Sequence, residues 1–292
     1  MGGSDVAPIL GLSKWRTPAE VYADKRGELP DNEPTVDMLI GTRLEQPMFE
    51  LYRKTNPNLA RVPEMIRDQD FEILIANIDA LEYGVEDRIV EFKTARDDSS
   101  WGEPGTDDVP LEYSLQVQHY MSVARVGVAD ILVLFKNKRK IELVKYTVEA
   151  DSKLQHAIRT RLLDFWHCHV LTGIPPEPTN VEEAQARWKK SVPCEVIASP
   201  TIIDTMTELH AVRARLKELE TLEASLKFLA MQAMGEADTL KTPTGTILAT
   251  WKTAKAARKI DVSLLREAFP QIAAKVETTG EPVRKFLVKG EK

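Results

Sequence analysis

The chain has 292 residues, 43% of them hydrophobic and 29% charged, with a formal net charge of -6. This balance suits one large folded domain or two smaller ones, and it excludes a wholly disordered chain and a uniformly basic nucleic-acid binder. Cys168 and Cys194 are the only cysteines, so neither a disulfide framework nor a four-cysteine metal or iron–sulfur site fits within one chain.

No apolar run approaches the ~20 residues that span a bilayer, and MGGSDVAPIL lacks the basic and apolar regions of a signal peptide. A cytoplasmic protein with no membrane partner is the expectation. Positive residues nevertheless cluster in SKWR, DKR, KNKRK, RWKK and WKTAKAARK, which leaves room for local positive surfaces.

After the glycine-rich start, TPAEVYADKRG predicts a short helix and ELPDNEP a loop broken by Pro30 and Pro34. TVDMLIGTRLEQPMFELYRKT predicts a longer helix with Leu44, Met48 and Leu51 on one stripe and a kink or break at Pro47. Two strand-like runs, FEILIANIDALE and RIVEFKTA, flank the turn-forming YGVED and read as a hairpin. PLEYSLQVQHYMSVARVG reads as a helix, VADILVLF as a buried strand, and IELVKYTVE as its partner across the basic turn KNKRK. DSKLQHAIRTRLLDFWHCHVLTG reads as a helix capped by Asp151. His167 and His169 on it point about 200° apart, a poor geometry for a shared metal.

Beyond GIPPEPT the pattern changes. Leu209, Val212, Leu216, Leu219, Leu222, Leu226, Leu229 and Ala233 form a stripe on a long helix that needs a partner surface. TGTILATWK reads as a strand, DVSLLREAFP as a short helix capped by Asp261, and EPVRKFLVK as a last strand pairing with the first. The expected division is a mixed α/β domain over 1–175, a linker over 176–200, and a C-terminal α+β extension over 201–292.

The chemistry gathers in the hairpin. Side chains alternate along a strand, so Glu91 and Lys93 share one face and Phe92 points to the other. An exposed ExK pair alone is more often a plain ion pair. Pairing of the two runs, however, brings Asp79 close to Glu91, with Lys93 one pleat further along. Asp79 also lies in the otherwise apolar NIDALE, where an acid needs a partner or a cation. Two carboxylates suit a hard divalent ion such as Mg²⁺, with phosphate and water completing its shell. A lysine beside them orients or deprotonates water, or offsets charge on a phosphate.

The order of Glu45 in GTRLE, Asp79, Glu91-Phe92-Lys93 and QVQHYM resembles the PD-(D/E)xK nucleases, and with the opening GGSD it is more narrowly similar to the YqaJ group of lambda-type exonucleases. The resemblance extends from residue 2 to about 175. It implies a restriction-endonuclease-like core, a mixed central sheet flanked by helices, and two bound Mg²⁺ or Mn²⁺ ions. By that resemblance Asp79, Glu91 and the Phe92 carbonyl are metal ligands, Glu45 approaches the second metal, Lys93 activates water, and Gln116 supports the lysine or the substrate. Tyr113 and Tyr120 flank Gln116 as support or packing. The sequence departs from the family in having I-D-A where P-D-G is usual, and in lacking an arginine before GGSD. Ser4 is carried over to a 5′-phosphate pocket, and either a native beginning precedes Met1 or Lys14, Trp15 and Arg16 of SKWR take over the arginine's work; the other reading of SKWR is a helix-entry loop with a half-buried Trp15.

The implied activity is exonucleolytic hydrolysis of double-stranded DNA ends, 5′ to 3′, leaving 3′ overhangs for a single-strand annealing recombinase. A homotrimeric ring and a phage or prophage origin are implied with it. Two other readings share parts of the pattern. A Cas4- or RecB-like nuclease has the same core but not, here, the cysteines of the iron–sulfur versions; a non-catalytic DNA-binding module has no need of Asp79, Glu91 and Lys93 together.

Overall fold

The computed structural model describes residues 1–29, 33–136, 143–256, 260–278 and 283–289. They fall into two compact units, Met1–Arg187 and Trp188–Lys292. Pro30 and the KNKRK turn beyond Lys136 lie outside the described residues.

The first unit opens with α1 (Gly3–Ile9) and α2 (Pro18–Lys25), each with an acidic residue that reaches back to its own cap. Asp5 accepts from the Gly2 N–H at 2.8 Å, and Glu20 accepts from the Thr17 N–H at 2.8 Å. α3 (Val36–Arg53) is capped by Thr35 and runs through Pro47 without ending there. Its buried residues are Met48 and Phe49, with Leu44 and Tyr52 packed beside them. Leu51, expected inside, is 52% exposed. The line 44, 48, 52 repeats every four residues and faces the sheet, and a residue one step off that line turns about 100° away.

FEILIANIDALE does not form one strand. β1 (Leu59–Arg61) begins the main sheet, while β2 (Ile66–Arg67) and β3 (Ile75–Ala76) form a separate antiparallel ribbon. Ile75 is held there by a bond from its N–H to the Met1 carbonyl and by the His119 ring at its own carbonyl. The chain re-enters the main sheet only at β4 (Ala80–Glu82), which pairs with β5 (Arg88–Ala95) across the expected turn. α4 (Leu111–Ala124) then crosses to β6 (Val128–Phe135), parallel to β5, and β7 (Leu143–Glu149) returns antiparallel. The sheet order is β1-β4-β5-β6-β7, a mixed sheet.

Both faces of this sheet are covered, which is why β6 reads as nearly continuous apolar sequence. Ile89, Ile131 and Val133 pack with residues of α1, α4 and the helix α5 (Ser152–Phe165); Val90, Phe92 and Leu132 pack with Met48 and Phe49 of α3. Asp151 caps α5 as expected, accepting from the Lys153 and Leu154 N–H groups. A π-helical turn, Trp166–Val170, extends α5. The His167 ring meets the Leu163 carbonyl and the His169 ring the Ile174 carbonyl. α6 (Val181–Arg187) lies in the stretch read as linker and belongs to the first unit.

The second unit contains α7 (Pro200–Met234), capped by Ser199, then β8 (Thr239–Lys241), β9 (Ile247–Thr250), α8 (Val262–Ala268) and α9 (Pro270–Val276). Asp261 caps α8 through the Leu264 N–H. Leu216, Leu219 and Leu226 of the expected stripe are each more than half exposed. The last strand is a correction: residues 283–289 form no strand, and β9 pairs instead with β8. The two strands are joined by a short turn in which Gly245 has φ 91°. Closing so short a loop costs less entropy than a pairing across thirty residues or more.

Candidate active site

The antiparallel register puts Ala80 opposite Val90 and Leu81 opposite Ile89, so Asp79, one residue earlier, arrives opposite Glu91. Its Oδ2 accepts the Phe92 N–H at 2.8 Å. Burial raises the Asp79 carboxyl above its ordinary range, against the pull of that N–H and of Lys93 and Arg61.

Glu91 is buried on the face that packs against α4. Its Oε1 accepts from Lys93 Nζ at 2.8 Å and from Gln116 Nε2 at 2.9 Å. Its Oε2 is buried with no hydrogen-bond partner. Burial pushes this carboxyl up to about 7; the Lys93 charge opposes that shift and Asp79 adds to it. Burial works against the charge of Lys93 too, yet Glu91 and then Asp79 outweigh it and hold the ammonium above the usual lysine range.

α4 supplies the remaining wall. Gln116 accepts from Lys93 Nζ at 3.0 Å through Oε1 and donates through Nε2 to the Tyr120 hydroxyl at 3.0 Å, so its amide is fixed from both ends. Burial, then the Glu91 charge, pushes the Tyr120 phenol up to about 12. The Tyr113 ring lies 5.1 Å from Lys93 Nζ and stacks on Trp101 at 5.5 Å. Phe92 turns its ring to the opposite core, so only its backbone belongs to the site.

Among the described residues Glu45 on α3 makes no hydrogen bond to this cluster, but it is close enough to feel its charges. It lines a cleft of about 530 Å³ with Thr42, Gln46, Arg61, Asn77 and Asp79. Burial, then the charge of Asp79, raises its carboxyl, while Arg61 lowers it. Among the described residues no three of His, Cys, Asp and Glu are gathered closely enough to hold a metal ion. The convergent acids are therefore the pair Asp79 and Glu91.

The N-terminal candidates are arranged differently from the expectation. Ser4 is exposed in the first turn of α1, and Lys14 is exposed. Arg16 is tied to Asp5 at 3.3 Å and to Asp24 at 2.8 Å, with a further bond to the Glu20 carbonyl. Trp15 is 83% exposed rather than half-buried. Its loop is shaped by Ser13, whose Oγ accepts from the Trp15 and Arg16 N–H groups.

Three further residues matter and were not read from the sequence. A Cβ on Gly3 would stand 2.5 Å from Tyr120 Cε1 and 2.8 Å from Gln116 Cγ, so glycine is what lets α1 lie against the site helix. The buried Asp5 collects Gly2, Arg16 and Lys25. Arg61 reaches into the cleft. The glycine doublet in GGSD was a signal for the first; nothing local in LARV distinguishes Arg61.

Residues 1–126 match the family described as the YqaJ-like viral recombinase domain. Over 287 residues the chain is 28% identical to the uncharacterized protein YqaJ of Bacillus subtilis (strain 168), covering 95% of this chain and 87% of that one. Solved structures similar to it include the alkaline exonuclease LHK-Exo of Laribacter hongkongensis, 19% identical with a TM-score of 0.46, over 60% of this chain and 89% of that one. A phage related exonuclease from Haemophilus somnus 129PT is 18% identical with a TM-score of 0.45, over 59% and 94%. The resemblance to the YqaJ group carried by the motifs is borne out, and the family match ends before the 175 residues over which the motifs were read.

Proposed function

We propose that this protein is a metal-dependent DNA exonuclease of the PD-(D/E)xK type, which degrades duplex ends 5′ to 3′ and leaves 3′ overhangs for a strand-annealing recombinase. The observation that carries the proposal is Glu91: a buried carboxylate beside Asp79 and Lys93 with one oxygen bound on two sides and the other without any partner. A buried acceptor left unsatisfied is costly, and a cation is what such an oxygen accepts.

The residues fit a hard divalent ion. Asp79, Glu91 and the Phe92 carbonyl are all oxygen donors, and Mg²⁺ takes one or two carboxylates and leaves its other positions to water and phosphate. Glu45, which lines the cleft with Asp79, is the ligand we assign to a second ion. When bound, the metal supplies Lewis-acid polarisation of the phosphate and a more acidic water.

The chain's own groups do the positioning. The Phe92 N–H holds one Asp79 oxygen in place. Gln116 fixes both Glu91 and Lys93, so the ammonium cannot swing away. Held beside the two carboxylates by Glu91 and Gln116, Lys93 orients or deprotonates the attacking water and offsets charge on the phosphate. The water oxygen gives up a proton to Lys93 or solvent and bonds to phosphorus as the P–O3′ bond breaks, and the departing O3′ takes a proton from solvent. Ser4 and Lys14 remain the candidates for the 5′-phosphate, since Arg16 is held by Asp5 and Asp24.

Digestion of end-labelled duplexes in Mg²⁺ tests this. The parent should shorten the 5′-ended strand, and Asp79→Ala or Glu91→Ala should not. Lys93→Ala should still bind DNA and lose turnover by about 10²–10³-fold. Cleavage by Lys93→Ala at the parental rate refutes the assignment.

A further inference from the structure

Arg61, at the end of β1, lines the same cleft as Glu45, Gln46, Asn77 and Asp79. Two aromatic rings hold its guanidinium, that of Phe49 at 4.8 Å and that of Phe92 at 5.6 Å from the ring centres. One arm donates to Gln46 Oε1 at 3.3 Å, and the other reaches the Asp79 main-chain oxygen at 3.5 Å. Both partners are neutral and both bonds are long.

Some arginines of this unit have carboxylate partners and others, Arg53 and Arg67 among them, have none at ion-pair distance among the described residues. Arg16, Arg88, Arg125 and Arg159 each lie within 3.5 Å of a carboxylate. Arg61 has no carboxylate at ion-pair distance among the described residues. Its side chain is already ordered by the two rings, so a further contact costs little rotamer freedom. A guanidinium has five donors and cannot lose its charge in a protein. Two of those donors are lightly engaged, and the group lines an open cleft with two acids, Glu45 and Asp79, whose charges it offsets. That is the arrangement an anion needs in order to approach carboxylates that would otherwise repel it.

We propose that Arg61 binds a phosphate: its guanidinium contacts a non-bridging oxygen of the DNA strand in this cleft, beside Asp79 and Glu45. The proposal rests on the nuclease reading and adds to it a contact made by no residue of the sequence motifs. A packing role between Phe49 and Phe92 is the alternative, and the two differ in salt dependence. A phosphate contact releases counterions, so removing one lowers the slope of log affinity against log salt by about 0.9 for duplex and 0.7 for single-stranded DNA. Lost packing lowers affinity without changing that slope.

The full-length chain in EDTA, where binding proceeds without cleavage, is titrated with a fluorescein-labelled duplex carrying a short overhang at 50, 100 and 200 mM NaCl. Arg61→Gln should show the smaller slope, and Arg61→Lys, which keeps the charge, should retain the parental one. An unchanged slope in Arg61→Gln overturns the proposal whatever happens to the affinity. So does an equal loss of slope in both variants accompanied by a lower melting temperature, because the damage then lies in the aromatic stack. A parent that neither binds DNA nor digests it in Mg²⁺ defeats the nuclease reading itself, whereas failure confined to Arg61→Gln leaves that reading standing.

Discussion

Gly3→Ala is the smallest change that should disturb the site from outside it. The added Cβ would stand 2.5 Å from Tyr120 Cε1 and 2.8 Å from Gln116 Cγ, about 1 Å inside ordinary carbon contact. Neither neighbour can step back freely: Tyr120 is buried, and the Gln116 amide is bonded to Glu91, Lys93 and Tyr120. Overpacking of this kind costs about 1–3 kcal/mol. Replacing glycine by alanine within a helix returns roughly 0.5–1 kcal/mol, so a net loss of up to about 2.5 kcal/mol is expected. The strain falls on Gln116, and turnover on duplex ends should drop along with stability. Urea unfolding followed by circular dichroism gives the first quantity and digestion of labelled duplex the second. If Gly3→Ala unfolds at the parental midpoint and cuts at the parental rate, then α1 does not brace the site helix and the close approach is not what the glycine serves.

His119 gives a pH-dependent test. It is buried, with Nε2 at 2.9 Å from the Ile75 carbonyl, and burial pushes its pKa down to about 4 from the ordinary 6.5. The fold keeps it neutral while the unfolded chain takes up a proton below about 6.5, so its contribution to stability is present at neutral pH and is lost as the pH falls toward 4, by about 2 kcal/mol between pH 7 and 5. Glu91, raised by the fold, gains stability over the same range, so urea midpoints of the parent and His119→Gln are to be compared at each pH; an equal fall in both chains removes the assignment. For assembly, the ring expected by resemblance predicts a homotrimer through residues 1–187. Light scattering on the full chain and on a chain lacking 188–292 decides this: a trimer in both supports it, and a monomeric full-length chain at working concentration ends it.

What the sequence revealed and what it hid follow from how far each feature reaches along the chain. Asp79 and Glu91 could be brought together on paper because a hairpin has one degree of freedom, its register, and a strand has a period of two. An error of several residues in where the first strand begins left their meeting intact, since only β4 had to pair with β5. Leu51 was misassigned for a related reason: spacings of 3 and 4 are both helical, and which line faces inward is decided by the sheet beneath it. The distant β pairing of residues 283–289 failed because a nearby turn offered β9 a partner at lower entropic cost. SKWR misled in another way, since its charge was visible while the buried Asp5 that binds Arg16 sits eleven residues earlier, on α1. Arg61 lies at the far end of this scale. Its surroundings come from α3, the approach to β4, and β5, and no window along the chain contains them. A guanidinium held by two rings and lacking an acid is a fact of tertiary structure alone, which is why a residue that no motif marks is the one whose salt dependence most directly asks whether this cleft receives DNA.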